Sequence, residues 1–293
     1  MQTFKGTGVA IITPFKSDLS IDFAAIGRVV NHVIAGGVDY IVALGTTGES
    51  VTLTQDEKNA VISYVAEIID GRLPLVVGLG GNNTQEVINC IRQADFEKVD
   101  AILSVAPYYN KPSQKGLVMH FKAVATCSPV PVIIYNVPGR TSCNISADTS
   151  LELAHECDNI VALKESSGDI SQIMKIIKGK PDNFSVISGD DIMTLPVIAA
   201  GGAGVISVLA NAFPAACSDI VNYALKYDFK NASELQFKFL EAIELLFIEG
   251  SPAGVKAFMG ILNICNNTVR LPLTTVSRAT YSRIQKVVEE VTK

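Results

Sequence analysis

The sequence predicts an α/β fold: a (β/α)8 barrel followed by a C-terminal helical extension. Eight short, β-branched apolar runs alternate with amphipathic helical segments along the chain. This alternation is typical of βαβ units and a parallel sheet. The first run leads into Thr13, Pro14 and Phe15 without the G-x-G-x-x-G fingerprint that an open dinucleotide-binding sheet would carry there. Eight units without that fingerprint favour a closed barrel.

The eight apolar runs are the predicted strands. They occupy residues 8–13, 40–44, 75–78, 101–105, 132–135, 160–164, 185–188 and 204–208. The segments between them place apolar side chains at steps of three and four residues, as amphipathic helices do. End signals support these helices: Thr54 and Glu57 form a capping box before one helix that Gly71 ends, and residues 36–37 and Gly179 end two others.

More chain follows the eighth run than one barrel helix needs, and all of it has helical patterns. Two apolar stripes stand out there: Leu235, Phe239, Ile243 and Leu246, and then Val255, Phe258, Met259 and Leu262. No low-complexity linker separates this part from the barrel. We therefore assign residues 1–225 to a catalytic (β/α)8 barrel and residues 226–293 to a C-terminal helical extension packed on it.

Composition narrows the class of protein. The 293 residues carry a formal net charge of −5, and no cluster of Lys and Arg indicates a nucleic-acid partner or a membrane surface. Residues 1–6 lack the apolar core of a signal peptide, and the glycine-containing run 197–208 is too short to span a bilayer. The six cysteines show neither C-x-x-C nor zinc spacing, so we expect reduced thiols in a cytoplasmic protein without a metal.

Polar and aromatic side chains collect directly after the predicted strands, at the end where barrel enzymes carry out their chemistry. They fall in GTTGES at 45–50, APYYN at 106–110, YNVPGRT at 135–141, Lys164, and SGDD at 188–191. Each group has a plainer explanation: the first can be a helix-capping turn, and the tyrosines can pack at the rim. Asp190 and Asp191 suit a helix N-terminus better than a metal site. His32, His120 and His155 lie in helical segments, so we do not expect them to be catalytic.

Lys164 is the most informative residue of the chain. It ends the apolar run 160–163, so its side chain sits at the rim of a core and is partly removed from water. Desolvation disfavours an ammonium ion, and lysines in such places attack carbonyl carbons and form Schiff bases. A solvated lysine that happens to end a strand explains the position alone equally well, and the other segments decide between the two.

Together, these segments resemble those of the dihydrodipicolinate synthase family, class I aldolase-like lyases that act on pyruvate. The likeness covers nearly the whole chain and rests on residues 45–50, PYYNKPSQ at 107–114, residues 135–141, LKESSGD at 163–169, residues 188–191 and GGAGVISV at 201–208. The resemblance implies that Lys164 forms the Schiff base with pyruvate and that Tyr135 moves protons beside it. It implies a hydroxyl relay through Thr47 and Tyr109, with Tyr109 reaching in from a neighbouring subunit.

The resemblance also implies the substrate contacts. Thr46 helps to hold the pyruvate carboxylate, Arg140 at the entrance binds the carboxylate of aspartate semialdehyde, and the backbone of Gly189 and Ile206 lines the pocket. The implied reaction joins pyruvate to L-aspartate 4-semialdehyde, in lysine and diaminopimelate biosynthesis, with no metal or organic cofactor. The implied assembly is a homo-oligomer, at least a dimer and in this family usually a tetramer.

Two other functions stay open at this point. N-acetylneuraminate lyase and 2-keto-3-deoxy sugar-acid aldolases share the lysine and the tyrosine but take sugar-derived aldehydes. Arg140 favours the synthase, because a carboxylated aldehyde needs a cation and a polyhydroxylated one does not. The third possibility is a non-catalytic barrel that only senses a keto acid. The presence of all the expected catalytic side chains together argues against it.

Lysine-inhibited members of the family bind L-lysine at a dimer interface. The matching positions here are Ser50, Val51, Asn82, Glu86 and Tyr108, and the last three are residues that the family uses. Gln55 and Lys58 stand where some sensitive members carry histidines, and Lys58 would repel a cationic ligand. We therefore expect a vestigial lysine site with weak or absent feedback.

Overall fold

A computed structural model describes residues 4–292, which form a closed barrel of eight parallel strands. Each strand pairs with its sequence neighbours, and the first pairs with the last. The strands are β1 Gly6–Ala10, β2 Tyr40–Ala43, β3 Leu75–Gly78, β4 Ala101–Val105, β5 Val132–Asn136, β6 Ile160–Glu165, β7 Ser185–Ser188 and β8 Gly204–Ser207. The predicted fold class is confirmed, and seven of the eight strands begin at the predicted residue.

The first strand differs most from the prediction, since β1 begins and ends earlier than the run 8–13. Its Gly8 packs against the large ring of Tyr40 on β2, where a Cβ at position 8 would lie 2.3 Å from a ring carbon. Small residues in β1 therefore balance the tyrosine in the barrel interior. Ile11 continues the pairing only through one hydrogen bond, from its N–H to the carbonyl of Val42 at 3.0 Å.

Helices cover the outside of the barrel and connect the strands. They are α1 Phe23–Ala35, α2 Gln55–Ile69, α3 Thr84–Gln93, α4 Gln114–Cys127, α5 Pro138–Thr141, α6 Ala147–Glu156, α7 Ile170–Gly179, α8 Thr194–Ala199 and α9 Pro214–Leu225. The predicted capping box begins α2: Thr54 Oγ1 accepts from the Glu57 N–H at 3.2 Å, and Glu57 Oε2 accepts from the Thr54 N–H at 2.9 Å. The helix is capped by Asp70 in the left-handed conformation, one residue before the predicted Gly71.

Buried side chains form layers on both faces of the sheet, as expected for parallel strands covered by helices. The interior layer includes Tyr40, Leu103, Ile133, Tyr135 and Ile206. Because side chains alternate along a strand, neighbouring residues point to opposite faces. Inner-layer residues near the last positions of their strands, such as Tyr135 and Ile206, therefore lie toward the carboxyl end of the barrel.

Four helices follow the barrel: α10 Phe229–Lys238, α11 Leu240–Leu245, α12 Ala253–Ile261 and α13 Arg278–Val291. Their apolar residues, such as Ile243 and Phe258, belong to the same buried core as Val29 of α1. The division of the chain at residue 225 stays a prediction, and it coincides with the end of α9. Within residues 4–292, every helix falls short of the length or the apolar character that a membrane-spanning helix needs.

Candidate active site

Lys164 lies at the carboxyl end of β6, between the neighbouring strands β5 and β7. The parallel ladder pairs it with Tyr135 on one side and with Ile187 on the other. Its Nζ atom is 4.2 Å from the centre of the Tyr135 ring, and the two residues are only 5% and 6% exposed. The sheet thus brings a buried amine and a phenol side by side, the pair that proton-coupled attack on a carbonyl requires.

Gly189 follows β7 and leaves room for the lysine side chain. A Cβ at this position would lie 2.8 Å from Lys164 Cε and 2.0 Å from Ser166 Oγ, so no larger residue fits without moving one of them. Ile206 on β8 is fully buried in the interior layer that also contains Tyr135. The structure therefore brings both predicted backbone positions to the carboxyl end of the barrel.

Thr46 and Thr47 occupy a single 3-10 turn directly after β2. The Thr47 side chain is buried, whereas Thr46 is exposed to the open end of the barrel. Thr13 Oγ1 donates to the carbonyl of Gly48 at 2.7 Å, which fixes the end of this turn to the loop after β1. The two neighbouring hydroxyls thus have different environments, as different roles would require.

Residues of the C-terminal extension also hold this turn in place, through hydrogen bonds to Glu49. Its carboxylate accepts from Lys256 Nζ at 2.5 Å and from the Arg270 N–H at 3.0 Å, and both Glu49 and Lys256 are buried. The Lys256 ammonium also donates to the Thr268 carbonyl at 2.8 Å and lies 4.2 Å from the centre of the Phe15 ring. The extension therefore supports the loop that carries the predicted carboxylate-binding threonines.

Arg140 is exposed on the short helix α5, directly after β5. It lines a cavity of about 560 Å³ together with Thr46 and Tyr135. All the positions predicted for a lysine site line the same cavity, namely Ser50, Val51, Asn82, Glu86 and Tyr108, and so do Gln55 and Lys58. The entrance to the candidate active site and the candidate regulatory site are thus parts of one cleft in a single protomer.

Tyr109 is a predicted catalytic residue whose side chain points away from the cavity of its own protomer. Its side chain is 89% exposed, its backbone has a left-handed φ of 74°, and it does not line the cavity. The preceding Tyr108 is held inward, where its carbonyl accepts from Asn82 Nδ2 at 3.1 Å. The chain therefore presents Tyr109 away from its own barrel.

The two aspartates after β7 cap and brace loops, which agrees with the preference for a helix N-terminus over a metal site. Asp190 accepts from the Ile192 N–H at 3.3 Å, at the start of a short 3-10 turn. Asp191 accepts from Ser207 Oγ at 2.5 Å and from the Val208 N–H at 2.9 Å. Burial raises the pKa of Asp191, while these hydrogen bonds oppose that shift.

The histidines lie on α1, α4 and α6 as predicted, and their contacts are structural. Nε2 of His32 and of His155 contact the backbone carbonyls of Ala212 and Gly179. Burial lowers the pKa of His120 to about 4, so this side chain stays neutral near pH 7.

Sequence reasoning missed a set of polar residues behind the catalytic pair, of which all but Asn144 are buried. They are Asn136, Asn144, Glu165 and Gln172, joined by hydrogen bonds between side chains. The available signal was their position: Asn136 follows Tyr135, and Glu165 follows Lys164, at the ends of two buried strands. A charged residue such as Glu165, which continues an apolar strand, indicates a buried polar contact even when the residue before it is the predicted catalytic one.

The chain is similar to known proteins over nearly its whole length. A model described as the dihydrodipicolinate synthetase family matches residues 3–291. A 4-hydroxy-tetrahydrodipicolinate synthase of Flavobacterium psychrophilum is 50% identical over the full length of both chains. A dihydrodipicolinate synthase structure from Aquifex aeolicus is 42% identical with a TM-score of 0.95, covering 99% of this chain and 98% of the other. A chloride-inhibited dihydrodipicolinate synthase from Acinetobacter baumannii complexed with pyruvate is 36% identical with a TM-score of 0.95, covering 99% of each chain.

Proposed function

The chain belongs to the dihydrodipicolinate synthetase family, and we infer that it is the lyase that condenses pyruvate with L-aspartate 4-semialdehyde. This is the activity of a 4-hydroxy-tetrahydrodipicolinate synthase, in lysine and diaminopimelate biosynthesis. One observation carries the inference beyond the likeness in sequence: a buried lysine amine lies 4.2 Å from the ring of a buried tyrosine, in a barrel whose cavity mouth holds Arg140.

The reaction begins at Lys164. Its amine attacks the ketone carbon of pyruvate, and the resulting carbinolamine loses water to give a protonated Schiff base. Proton transfers in both steps fall to Tyr135, which lies beside the amine. Thr46 holds the pyruvate carboxylate, and the backbone at Gly189 and Ile206 forms the pocket wall.

The protonated Schiff base then acts as an electron sink. Loss of a methyl proton gives an enamine, whose carbon attacks the aldehyde of the second substrate and forms the new C–C bond. The amino group of that substrate next attacks the imine carbon, which closes the ring and releases the Lys164 amine. Arg140 binds the carboxylate of the second substrate, since a guanidinium suits bidentate recognition of a carboxylate.

The proton relay is completed by Thr47 and by Tyr109 of a neighbouring subunit. The support for this part is the exposure of Tyr109 and its left-handed backbone, which direct it away from its own site. We therefore propose a homo-oligomer. It is at least a dimer, and we expect a tetramer. We also propose a cytoplasmic location, which the six free cysteines support.

A mixing experiment tests the shared site. Lys164→Ala and Tyr109→Phe homo-oligomers should each have little activity. A mixed dimer has one site with an intact Lys164 and an intact Tyr109 from the other chain, so co-refolding the two variants should restore activity. A mixture no more active than its components would contradict the cross-subunit role.

A coupled assay tests the reaction itself. Pyruvate and aspartate semialdehyde are supplied with the reductase that consumes the product, and the loss of NADPH is followed. Loss that requires both substrates supports the synthase. A folded sample that shows none, but cleaves or forms a sugar acid with pyruvate, would assign the chain to the sugar-acid aldolases instead.

A further inference from the structure

The polar residues behind the catalytic pair form a continuous cluster around one buried carboxylate. We call Asn136, Asn144, Glu165 and Gln172 the Glu165 cluster. Glu165 is 1% exposed and Asn136 is fully buried, and the two face each other across the β5–β6 ladder. Their chain neighbours Tyr135 and Lys164 form the adjacent pair of the same ladder and point to the opposite face.

Every hydrogen-bond partner of the Glu165 carboxylate is a donor. Oε1 accepts from the Ser167 N–H at 2.6 Å, Oε2 accepts from Gln172 Nε2 at 3.1 Å, and Asn136 Nδ2 donates to both oxygens at 3.1 and 3.0 Å. None of the ion pairs among residues 4–292 includes Glu165. Both positions must be hydrogen-bond acceptors, as the two oxygens of a carboxylate are. The amide of a glutamine would instead place its NH2 group against one of these donors.

The cluster also ties down the segment that carries Arg140. Asn136 Oδ1 accepts from the Ile145 N–H at 2.9 Å, and Asn136 Nδ2 donates to Asn144 Oδ1 at 2.7 Å. Asn144 Nδ2 in turn donates to Gln172 Oε1 at 2.8 Å. These bonds join the end of segment 137–145 to β5, β6 and α7.

Lys164 does not depend on the cluster in this way. Ladder bonds to β5 and β7 hold its backbone from both sides, with Tyr135 and Ile187 as its register partners. Arg140, in contrast, lies in a short helix whose backbone bonds run to Val137 and Pro138, within the same segment. Loss of the cluster should therefore displace Arg140 more than the Schiff-base lysine.

We propose that Glu165 is a positioning residue for the second substrate: its carboxylate fixes the Arg140 segment relative to Lys164 through Asn136, Gln172 and Asn144. The inference rests on the proposed function, because it takes Arg140 as the group that binds the carboxylate of aspartate semialdehyde. A displacement of about 1 Å in such a group is enough to change a rate by orders of magnitude.

The first test is Glu165→Gln. The KM for aspartate semialdehyde should rise roughly tenfold, while the rate of borohydride trapping with pyruvate alone stays within about twofold of wild type. A general loss of folding would lower the trapping rate as well, so a raised KM with an unchanged trapping rate is specific to the second substrate. In the Glu165→Gln background, adding Arg140→Met should cost much less than it does in the wild type, because the guanidinium is already misplaced.

The second test exchanges donor and acceptor. In Glu165→Gln/Gln172→Glu, the new amide carbonyl can accept from Ser167 and Asn136, and its NH2 can donate to the carboxylate now on α7. That carboxylate can still accept from Asn144. The bonds lost are two of 3.3 Å from the Gln172 amide and the 3.0 Å bond from Asn136 to the oxygen that the new NH2 replaces. The double variant should reverse part of the KM increase seen in Glu165→Gln.

A third variant, Asn144→Ala, changes an exposed residue of the Glu165 cluster and leaves the buried Glu165 carboxylate in place. It should raise the KM for aspartate semialdehyde without changing trapping by pyruvate, and it keeps the test available if Glu165→Gln does not fold. Wild-type KM values in the folded variants, or a folded exchange variant without recovery, would overturn the inference. Wild-type enzyme that is inactive with aspartate semialdehyde would instead reject the proposed function.

Discussion

The buried ion pair between the extension and the Thr46 turn gives a quantitative prediction for Lys256→Met. Lys256 is fully buried, and its ammonium donates to Glu49 at 2.5 Å and to the Thr268 carbonyl at 2.8 Å. Methionine keeps a stem of similar length but removes the charge. The Glu49 carboxylate is then left buried with only the Arg270 N–H at 3.0 Å.

The expected cost follows from this geometry. Removing one partner of a buried ion pair destabilises a protein by about 3–5 kcal/mol, because the other charge stays buried without compensation. An unfolding entropy of about 2.1 cal/mol/K per residue gives about 0.6 kcal/mol/K for 293 residues. The Tm of Lys256→Met should therefore fall by roughly 5–8 °C.

Thermal unfolding at a fixed protein concentration measures the effect. Lys286→Met, at an exposed position of α13, is the matched control and should leave the Tm unchanged. The double variant Glu49→Gln/Lys256→Met removes both charges and should regain part of the loss. A Tm for Lys256→Met equal to that of the control, or a double variant less stable than the single one, would refute the reasoning.

Three further predictions concern the site and its surroundings. Gly189→Ala places a Cβ 2.8 Å from Lys164 Cε, so borohydride trapping with pyruvate should slow sharply while the fold persists; an unchanged rate would contradict the packing argument. The hydrogen bond from Arg270 lowers the pKa of Glu57 from 4.5 to about 2, so its stabilising effect is present above about pH 4.5 and is lost as the pH falls toward 2. Urea unfolding of Glu57→Gln should accordingly show a smaller loss of stability on acidification than wild type, and an equal loss would count against the pair. L-Lysine should inhibit weakly or not at all because Lys58 lines its cleft, and half inhibition at sub-millimolar lysine would overturn this expectation.

The alternation of apolar runs and helical patterns was enough to predict the barrel, but it placed β1 too late. The run that follows Gly8 is more apolar than the strand itself, and the prediction followed hydrophobicity. The strand in fact has glycine at position 8 because the Tyr40 ring fills the barrel interior there, and glycine at position 6 beside the Asp39 carboxylate. Complementary side-chain volumes on neighbouring strands are a three-dimensional property that a single run does not reveal.

The candidate site shows the same limit. Lys164 and Tyr135 were recognisable because each ends a buried strand within a motif, and the ladder explains why they meet. The partners of Glu49 and Glu165 were not recognisable, since Lys256 lies 207 residues from Glu49 and Gln172 lies on a separate helix. A lysine inside the apolar helix α12 was the one sequence signal that a buried partner existed.

The central claim is that Lys164 forms a Schiff base with pyruvate, and covalent trapping tests it most directly. The protein is incubated with pyruvate and borohydride, digested, and searched by mass spectrometry for a lysine that carries a reduced pyruvate adduct. The account predicts one modified peptide, centred on Lys164, and none in Lys164→Ala. An adduct on another lysine, or a folded wild-type protein that is not modified at all, would contradict it.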